Sequence, residues 1–449
     1  MCVVPDLSSL KGRSKGRSAV RRPFLLLVGV LLMSSAAGAA RGDAAPGVLA
    51  ATPPQVVATI DSSNQAGWWS PLAEFNGRTY YAYNAPGTLS TTHRVHVAMR
   101  SASGETEDTC LKMNGNCVEY PDDIGHRQPS IALDGDGYIH VFTAMHSNTW
   151  RYFRSDAPES VASFTSRALE MPDRTWTHTY PNLTATPDGD VWLITRSKST
   201  PSTRGAGGRL YRYDLTAKRW SRAATFAYKS GLWVYPDDIQ ADPAGNLHIL
   251  FEWAHKRDAT FRHSGNYVKY EPGTGRFLNA AGEVVSAPLT FGSPTHYQSG
   301  GFGKVGQPEV QSAKLALAPN GQLSVVYRYG SPGGIRFVVY RARWVGNRWV
   351  RDTVYAGKYD TFPAVDVTHD GTTLRVYYVK RNTRGGDAAF VAEKGQQGGF
   401  VERSLAPGKR KIERLSVLMR PDGTDVAYLS APYALGSTSG ELYLQTVPR

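Results

Sequence analysis

The sequence is poor in cysteine, with three in 449 residues, and the first of them, Cys2, lies in a leader segment. The remaining pair, Cys110 and Cys117, makes a poor zinc site by itself, because structural zinc is usually held by four side chains. No basic helix or arginine-rich run points to a nucleic-acid partner. The Ser-His-Asp and P-loop patterns are also absent. Beyond the leader no apolar run could span a bilayer, so we expect no membrane contact in the mature protein.

The leader differs from the rest of the chain in composition. Basic residues are frequent between Lys11 and Arg22, an apolar run follows from Phe24 to Met33, and small residues occupy Ala37–Ala39. This order is typical of a secretory signal peptide, and the alternative is an N-terminal membrane anchor. We therefore predict a signal peptide over residues 1–44, a single mature domain over residues 45–449, and a secreted or periplasmic protein.

Export from the cell has consequences for the state of the cysteines and for the net charge of the mature chain. In an oxidising compartment we expect a disulfide between Cys110 and Cys117, which would close a small loop around the Asn114-Gly115 turn. Residues 1–44 carry seven Lys/Arg and two Asp/Glu, so their removal lowers the net charge from +13 to +8. A basic exported protein suits an anionic partner.

One hairpin pattern recurs along the mature chain: an alternating apolar run, a turn at a glycine, and a second alternating run. Successive turn glycines are 50 to 76 residues apart, and six of the seven follow Asn or Asp, as tight hairpin turns favour. The glycines are Gly77, Gly137, Gly189, Gly245, Gly321, Gly371 and Gly423.

A period near fifty residues, with three or four strands per unit, is typical of propeller blades. We therefore predict an all-β fold, a seven-bladed β-propeller, in which the segment from Gln55 to Ile60 supplies the outer strand of the last blade. A β-sandwich and a β-helix are the alternatives. The long interval between Gly245 and Gly321 predicts an insertion near residues 270–300.

Hairpin geometry places residues just before the first strand and just after the second on the face opposite the turns, where propellers bind ligands. These positions hold the predicted catalytic group His126, His146, Tyr180 and Arg196, and the predicted substrate contacts Tyr235, Trp253, His255, Arg257 and Arg328. Other histidines lie inside second strands or beside a turn and are predicted to be structural, namely His140, His248 and His369.

This set of residues suits β-elimination at a 4-linked uronic acid. Elimination needs a cation for the carboxylate, a base for the C5 proton and an acid for the departing O4. Arg196 suits the first role, because a guanidinium meets a carboxylate in a fork. A histidine can be the base. Tyr180 can be the acid, or both acid and base if nearby cations stabilise its phenolate.

Hydrolysis suits the set less well, because it normally needs a pair of carboxylates. The sialidase box Ser-x-Asp-x-Gly-x-Thr-Trp is also absent. The nearby carboxylate candidates are Asp122, Asp123, Asp237, Asp238 and Glu252.

Several segments resemble the BNR-4-type propeller lyases, a group that includes ulvan lyases and L-rhamnose-α-1,4-D-glucuronate lyases. The two histidines are 20 residues apart, and Tyr180 and Arg196 are 16 apart, as in that group. The segments that carry the resemblance are Gly125–Ile131, Asp136–Phe142, Met145–His146, Thr179–Leu183 and Leu193–Arg196.

The resemblance implies a secreted lyase that cleaves a rhamnose–glucuronate or rhamnose–iduronate linkage in an acidic polysaccharide. It implies that His126, His146, Tyr180 and Arg196 are catalytic and that Tyr235 contacts the sugar near the cleaved bond. With glucuronate, Tyr180 would be both acid and base, whereas with iduronate a histidine would be the base. The alternatives are a rhamnosidase-type hydrolase and a non-catalytic carbohydrate-binding propeller.

The resemblance also bears on cofactors. Members of the group often carry a structural calcium or zinc ion, whose ligands in this chain we do not assign, and no cofactor is required for the reaction. We expect a monomer.

Overall fold

The part of the chain that the structure describes is built almost entirely of antiparallel β-sheet. The structure, a computed structural model, describes residues 52–448 except 65–66, 122–125, 201–203, 256–261, 301–308, 331–336, 358–363, 382–386, 396–397, 407–410 and 435. Within these residues the only helical element is a 3-10 turn at Ala168–Glu170, and no helix has the length and apolar character to cross a membrane. The predicted signal peptide lies outside the described residues.

Seven sheets of four or more strands form the blades, and the strands of each blade run in order from the innermost to the outermost. Blade 1 contains Leu72–Phe75, Arg78–Pro86, Thr92–Arg100 and Thr106–Cys110, with Glu119–Pro121 beside its third strand. Blade 2 contains Ser130–Leu133, Ile139–Phe142, Tyr152–Ser155 and Phe164–Ser166. Blade 3 contains Thr177–Ala185, Val191–Lys198, Gly207–Asp214 and Arg219–Ala227, with His146–Asn148 beside its first strand.

Blade 4 contains Leu232–Ala241, Leu247–His255, Arg262–Glu271, Arg276–Leu278 and Val284–Val285, with His296–Gln298 beside its third strand. Blade 5 contains Glu309–Leu317, Leu323–Gly330, Phe337–Val345 and Arg348–Ala356. Blade 6 contains Val365–His369, Leu374–Arg381, Asp387–Lys394 and Val401–Ser404. Blade 7 contains Arg414–Met419, Asp425–Ala431, Gly440–Val447 and Gln55–Ile60. A separate small hairpin pairs Lys112–Met113 with Asn116–Cys117.

The blades form a closed ring around a central channel. The innermost strand of each blade contacts that of the next, and the innermost strand of blade 7 contacts that of blade 1. Buried carboxylates link neighbours: Asp238 accepts a hydrogen bond from the Leu315 backbone N–H at 2.9 Å, and Asp366 accepts one from Val417 at 2.7 Å. These bonds satisfy backbone donors that would otherwise be buried unpaired. The predicted seven-bladed β-propeller is confirmed, and the sandwich and β-helix alternatives are wrong.

The hairpin turns lie where the glycine repeat predicts them. All seven turn glycines have positive φ angles, between 77° and 96°. Residues with a Cβ atom rarely adopt this conformation, which explains why glycine recurs once per blade. The turns mark one face of the ring, so the beginnings of the first strands and the ends of the second strands lie on the opposite face.

The ring is closed by pairing the two ends of the described chain. Gln55–Ile60 pairs antiparallel with Gly440–Val447, with Ile60 opposite Gly440. The outer strand of blade 7 therefore comes from the N-terminal side, as predicted. Ile60 is fully buried in a cluster shared by blades 1 and 7.

The predicted insertion after the second strand of blade 4 belongs to the scaffold. Residues 276–298 supply short strands at the outer part of the blade. Leu289, in the same segment, is fully buried in the core between blades 3 and 4. The insertion therefore thickens blade 4 rather than covering a mouth of the channel.

The predicted disulfide is present. Cys110 and Cys117 are bonded, with their Cα atoms 5.6 Å apart, around a turn in which Asn114 and Gly115 both have positive φ. Both sulfur atoms are thus committed to each other, and a zinc ion held by these cysteines does not fit the chain.

Two of the histidines predicted to be structural are buried in the same way in different blades. His140 contacts the Asp134 carboxylate with one ring nitrogen, at 3.2 Å, and the Tyr152 hydroxyl with the other, at 2.8 Å. His248 contacts Asp242 and Tyr267 equivalently, at 3.4 Å and 2.8 Å. Both rings hold the second strand of their blade against its neighbours, far from the strand ends on the face opposite the turns.

The closure strand gives a direct test of the ring. Replacing Ile60 with alanine should lower the free energy of unfolding by about 2–5 kcal/mol, because it leaves a cavity in the joint between blades 1 and 7. Val56 lies on the same strand but is 54% exposed. Val56→Ala is therefore the control and should cost less than about 0.5 kcal/mol in the same denaturant titration. Equal effects of both substitutions would contradict closure of the ring by this strand.

Candidate active site

The predicted catalytic residues meet at the mouth opposite the turns, and the strand register explains how. Thr179, on the first strand of blade 3, is paired with His146 on one side and with Arg196 on the other. Tyr180 follows Thr179 directly. His146, Tyr180 and Arg196 are thus brought together around Thr179 in the sheet of blade 3.

The fourth residue, His126, completes the group through a ring contact. The His126 and His146 rings are stacked, with centroids 3.9 Å apart and planes within 3° of parallel. The His126 ring centroid also lies 5.8 Å from that of Tyr180. Both histidines are half-buried, so solvent and a ligand can reach the stack.

Tyr180 is held in an unusual backbone conformation. Its φ angle is +58°, in the left-handed region that a residue with a large side chain rarely adopts, at a cost of about 1–2 kcal/mol. The pairing register shifts between Thr179 and Asn182, which marks a β-bulge. Bulges re-aim side chains near functional sites, and here the bulge points a buried phenol toward the mouth.

The groups on both sides of Tyr180 are clamped by hydroxyl donors. The Thr195 hydroxyl donates to the Thr179 carbonyl at 2.8 Å, and the Ser130 hydroxyl of blade 2 donates to the Pro181 carbonyl at 2.7 Å. The strained residue is therefore fixed from its own blade and from the neighbouring one, which keeps the phenol in one position.

Arg196 lies in an aromatic cage and is 4% exposed. Its Cζ atom is 4.8 Å from the Tyr180 ring centroid, 4.7 Å from Trp233 and 4.6 Å from Tyr235. Nη1 is buried without a hydrogen-bond partner among the described residues. Arginine stays charged in proteins, so a buried guanidinium with an unsatisfied N–H is suited to receive an anion.

Arg262 is a second cation at this mouth, and the sequence reasoning missed it. Its Cζ atom is 4.2 Å from the Tyr235 ring centroid and 6.0 Å from that of Tyr180, and its Nη1 lies 3.2 Å from the Glu252 carboxylate. It begins the third strand of blade 4. Because third strands start on the face where second strands end, extending the search to third strands would have found it.

Behind Arg262 lies a pair of buried carboxyl groups, Asp237 and Glu252, which are 1% and 0% exposed. Burial raises the pKa of Asp237 to about 7, against the opposing charges of Arg262 and Lys314. Burial, and then the charge of Asp237, raise the pKa of Glu252 well above its ordinary value. One guanidinium faces two carboxyl groups, so near neutral pH the pair retains a proton.

Aromatic residues wall the mouth, and several were not predicted. Trp69 and Tyr180 have ring centroids 5.8 Å apart, and Tyr180 and Tyr235 have centroids 5.5 Å apart. Trp68 and Trp69 precede the first strand of blade 1, and Trp233 precedes Tyr235 in blade 4. Their positions satisfy the same strand-end rule that identified Tyr180. Tyr235, a predicted substrate contact, lies within this group.

Two predicted substrate contacts lie in the joints between blades, and their role in binding stays a prediction. Trp253 is fully buried in the core between blades 3 and 4, 5.8 Å from Phe251. Arg328 is also fully buried, and its Nη1 donates to the Val379 carbonyl of blade 6 at 3.4 Å. The two residues were selected by their position along a strand. That position fixes the height of a residue in the ring, but it does not fix the face of the sheet from which its side chain projects.

The remaining predictions concern His255, Arg257 and a metal. His255 is half-buried at the end of its strand, and Arg257 lies outside the described residues. Among the described residues, no three His, Cys, Asp or Glu side chains are arranged to hold a metal ion. The structural calcium or zinc ion that the resemblance implies stays a prediction.

Comparison with known proteins places these observations in a family. The BNR_4 family model, described as BNR repeat-containing family member, matches residues 78–387. No curated protein sequence matches the chain.

Solved structures share the fold at low identity. A PL25 ulvan lyase, described as a new family of polysaccharide lyase, is 16% identical with a TM-score of 0.64, over 88% of this chain and 94% of that one. The same lyase bound to -[GlcA(1-4)Rha3S]- matches with the same identity and TM-score, over 88% and 96% of the two chains. The polysaccharide lyase Uly1 is 15% identical with a TM-score of 0.63, over 85% and 90%.

At these identities the solved structures establish a common fold, while the family follows from the sequence model. That model spans well over half of the 449 residues. The chain therefore belongs to the BNR_4 family of BNR repeat-containing proteins.

Proposed function

We propose that this protein is a secreted polysaccharide lyase that cleaves a rhamnose–glucuronate or rhamnose–iduronate linkage by β-elimination. The observation that carries the proposal is the buried Arg196 guanidinium. It lies in an aromatic cage beside Tyr180, with Nη1 unsatisfied among the described residues. The likeness of fold to ulvan lyases, one of them bound to a GlcA–Rha3S chain, supports the same class of substrate.

In the proposed reaction the uronate carboxylate binds Arg196. Neutralising the carboxylate makes the C5 proton acidic, because the negative charge that develops on removal of this proton is spread into the carboxyl group. A base takes the proton, the C5–H electron pair forms the C4=C5 double bond, and the C4–O4 bond breaks. An acid delivers a proton to O4 as it departs. The products are a 4,5-unsaturated uronate and a new chain end.

Tyr180 and the histidine pair supply the acid and the base. In glucuronate the C5 proton and O4 lie on the same side of the ring, so an ionised Tyr180 can take the proton from C5 and then donate it to the departing O4. In iduronate they lie on opposite sides, so a histidine of the stacked pair is the base and Tyr180 the acid. A ring of the pair must be neutral to accept a proton.

Arg262 adds a second positive charge, which we assign to an anionic group on the sugar beside the uronate. Its contact with Glu252 fixes the guanidinium over the Tyr235 ring. If Asp237 and Glu252 were both ionised, they would outweigh Arg262. With one proton retained, the acid pair carries a single negative charge that balances Arg262, so it does not cancel the charge of Arg196.

Hydrolysis is the competing chemistry, and the position of the carboxyl groups disfavours it. A hydrolase needs two carboxyl groups that reach the glycosidic bond and a water molecule. In the described part of the chain the carboxyl groups behind this mouth are Asp237 and Glu252, which are buried, and Glu252 is engaged with Arg262. Asp122 and Asp123 lie outside the described residues. We accordingly propose elimination, with rhamnosidase activity and binding without turnover as the alternatives to be tested.

The substrate class is tested with a panel of uronate-containing polysaccharides, including ulvan and rhamnose-capped arabinogalactan. We expect a product that absorbs in the ultraviolet, because its C=C bond is conjugated with the carboxylate, and that has the mass of an unsaturated oligosaccharide. Release of free rhamnose with intact glucuronate would instead establish hydrolysis. Retention of the polymer without any product would establish a binding protein.

The roles of the central residues are tested by substitution. Tyr180→Phe and Arg196→Ala should each lower kcat/KM by about 10³-fold or more, because each removes a group that acts on the transition state. Tyr433, which is 59% exposed, and the exposed Arg219 provide the matched controls Tyr433→Phe and Arg219→Ala. Near-normal turnover in a folded Tyr180 or Arg196 variant would contradict the proposed mechanism.

The buried acid pair is tested through the pH dependence of stability. Because the pKa of Asp237 is about 7 in the folded protein, and near 4 when unfolded, the folded state binds more protons between these values. This contribution to stability is complete at low pH and is lost as the pH rises from about 4 to 7, with a slope of up to about 1.4 kcal/mol per pH unit. Asp237→Asn should flatten that fall.

The control for the acid pair is Asp188→Asn, which changes an exposed aspartate in the turn of blade 3 while keeping a residue that suits the turn. Free energies of unfolding of the three proteins are compared by denaturant titration between pH 4 and 8. If the wild type and Asp237→Asn follow parallel curves, the pair holds no shared proton in this range.

A further inference from the structure

A second basic pocket lies on the face that carries the hairpin turns, opposite the proposed active site. It has a volume of about 400 Å³ and is formed by blades 5 and 6. The side chains that matter to the argument are Arg341 and Arg343 on the third strand of blade 5, Lys394 on the third strand of blade 6, and Gln322, His369 and Thr372 near the turns. No Asp, Glu, Tyr, Trp or Phe is among the described residues that line it.

Three cations in this pocket converge on one carboxylate oxygen. Oδ2 of Asp352 lies 3.4 Å from Arg343 Nε, 3.4 Å from Lys394 Nζ and 3.6 Å from Arg341 Nη1. Each distance is longer than a well-formed N–H···O hydrogen bond. A single carboxylate is therefore shared by three donors and bonds none of them closely, which leaves two positive charges unbalanced within the cluster.

This surplus of positive charge is unusual because one of the three cations is buried. Arg341 is 6% exposed and is held by the Ser324 hydroxyl, which lies 3.1 Å from Nε and 3.0 Å from Nη2. Burial lowers its pKa, yet an arginine does not lose its proton in a protein. The neighbouring buried Arg375 differs in the number of carboxylates around it, because it faces three of them: Asp370 at 3.0 Å, Asp425 at 3.4 Å and Glu393 at 3.7 Å.

The neutral groups around the cations suit an oxygen-rich ligand. The His369 Nδ1 atom accepts a hydrogen bond from the Gly371 backbone, so its neutral ring presents Nε2–H as a donor. Burial, and then the charge of Arg341, lower the pKa of His369, so the ring adds no further charge near neutral pH. Gln322 and Thr372 contribute amide and hydroxyl groups. With no aromatic platform for a sugar face among the lining residues, recognition would depend on charge.

We propose that the pocket formed by Arg341, Arg343 and Lys394 is a secondary anchoring site for a sulfate or carboxylate group of an acidic polysaccharide. An anion seated among the three donors would balance the surplus charge left by Asp352. Because the pocket lies on the face opposite the mouth, a long polymer, or a second strand of it, could be held there while another part occupies the active site. The choice of polysaccharide as ligand rests on the proposed function.

The test measures binding of the full mature chain to uncleaved ulvan in the Tyr180→Phe background, by affinity electrophoresis and calorimetry. Arg343→Gln/Lys394→Gln removes two charges from the pocket. Lys218→Gln/Arg219→Gln removes two exposed charges from the same face at blade 3 and is the matched control. We expect the dissociation constant to rise about tenfold for the pocket pair and less than about twofold for the control pair.

A separate variant protects the test against loss of folding. Gln322→Glu introduces a carboxylate into the pocket wall at an exposed position, so it should fold and should also weaken polymer binding. Equal weakening by the pocket and control pairs, or no weakening by either pocket variant, would overturn the proposal. Sodium sulfate binding to the pocket with no change in polymer affinity would leave a site for a free ion only and would likewise overturn it.

The outcome is separable from that of the proposed function. The binding comparison does not depend on catalysis, whereas the lyase proposal is judged by the unsaturated product. A protein that forms this product but shows equal polymer binding in all variants would retain its activity and lose the anchor. A protein that forms no product but shows the selective tenfold effect would retain the anchor and lose the lyase assignment.

Discussion

A guanidinium buried among aromatic rings is the constraint on which the mouth of this propeller depends. Arginine cannot lose its charge, and removal of that charge from water is costly. The Tyr180, Trp233 and Tyr235 rings offset part of this cost through cation–π attraction. In the proposed function, the rest is offset when an anion reaches Nη1. The cage is built from blades 3 and 4 together, so the proposed anion site exists only when those two blades are packed against each other.

The ring supplies the rigidity that this arrangement requires. Tyr180 stays in a left-handed conformation because hydroxyl groups from two blades hold the carbonyls on either side of it. A loop would relax the strain, whereas an inner strand between two neighbouring blades cannot. Closure by Gln55–Ile60 then links the first and last blades, so that the position of the phenol depends on the whole ring.

The sequence was sufficient to predict the architecture and most of the mouth, because both follow from periodic features. Turn glycines locate the hairpins, and strand ends locate His126, His146, Tyr180 and Arg196 on one face. What could not be predicted depends on the direction of side chains. Trp253 and Arg328 have the right height but project into the joints between blades. The stacking of the two histidines and the pairing of Asp237 with Glu252 depend on contacts across strands, which no local pattern encodes.

Charge balance also bears on the chemistry of the proposed active site. The buried Arg375, for comparison, faces Asp370 at 3.0 Å and Asp425 at 3.4 Å. At the mouth, Arg196 has no such partner in the described part of the chain, and the carboxyl pair behind Arg262 retains a proton. A positive field of this kind acidifies the C5–H of a bound uronate, because it stabilises the charge that develops in the carboxyl group. The same field would oppose the oxocarbenium-like transition state of glycoside hydrolysis. The electrostatics of the mouth therefore support the proposed elimination over hydrolysis by an argument that does not depend on likeness to known lyases.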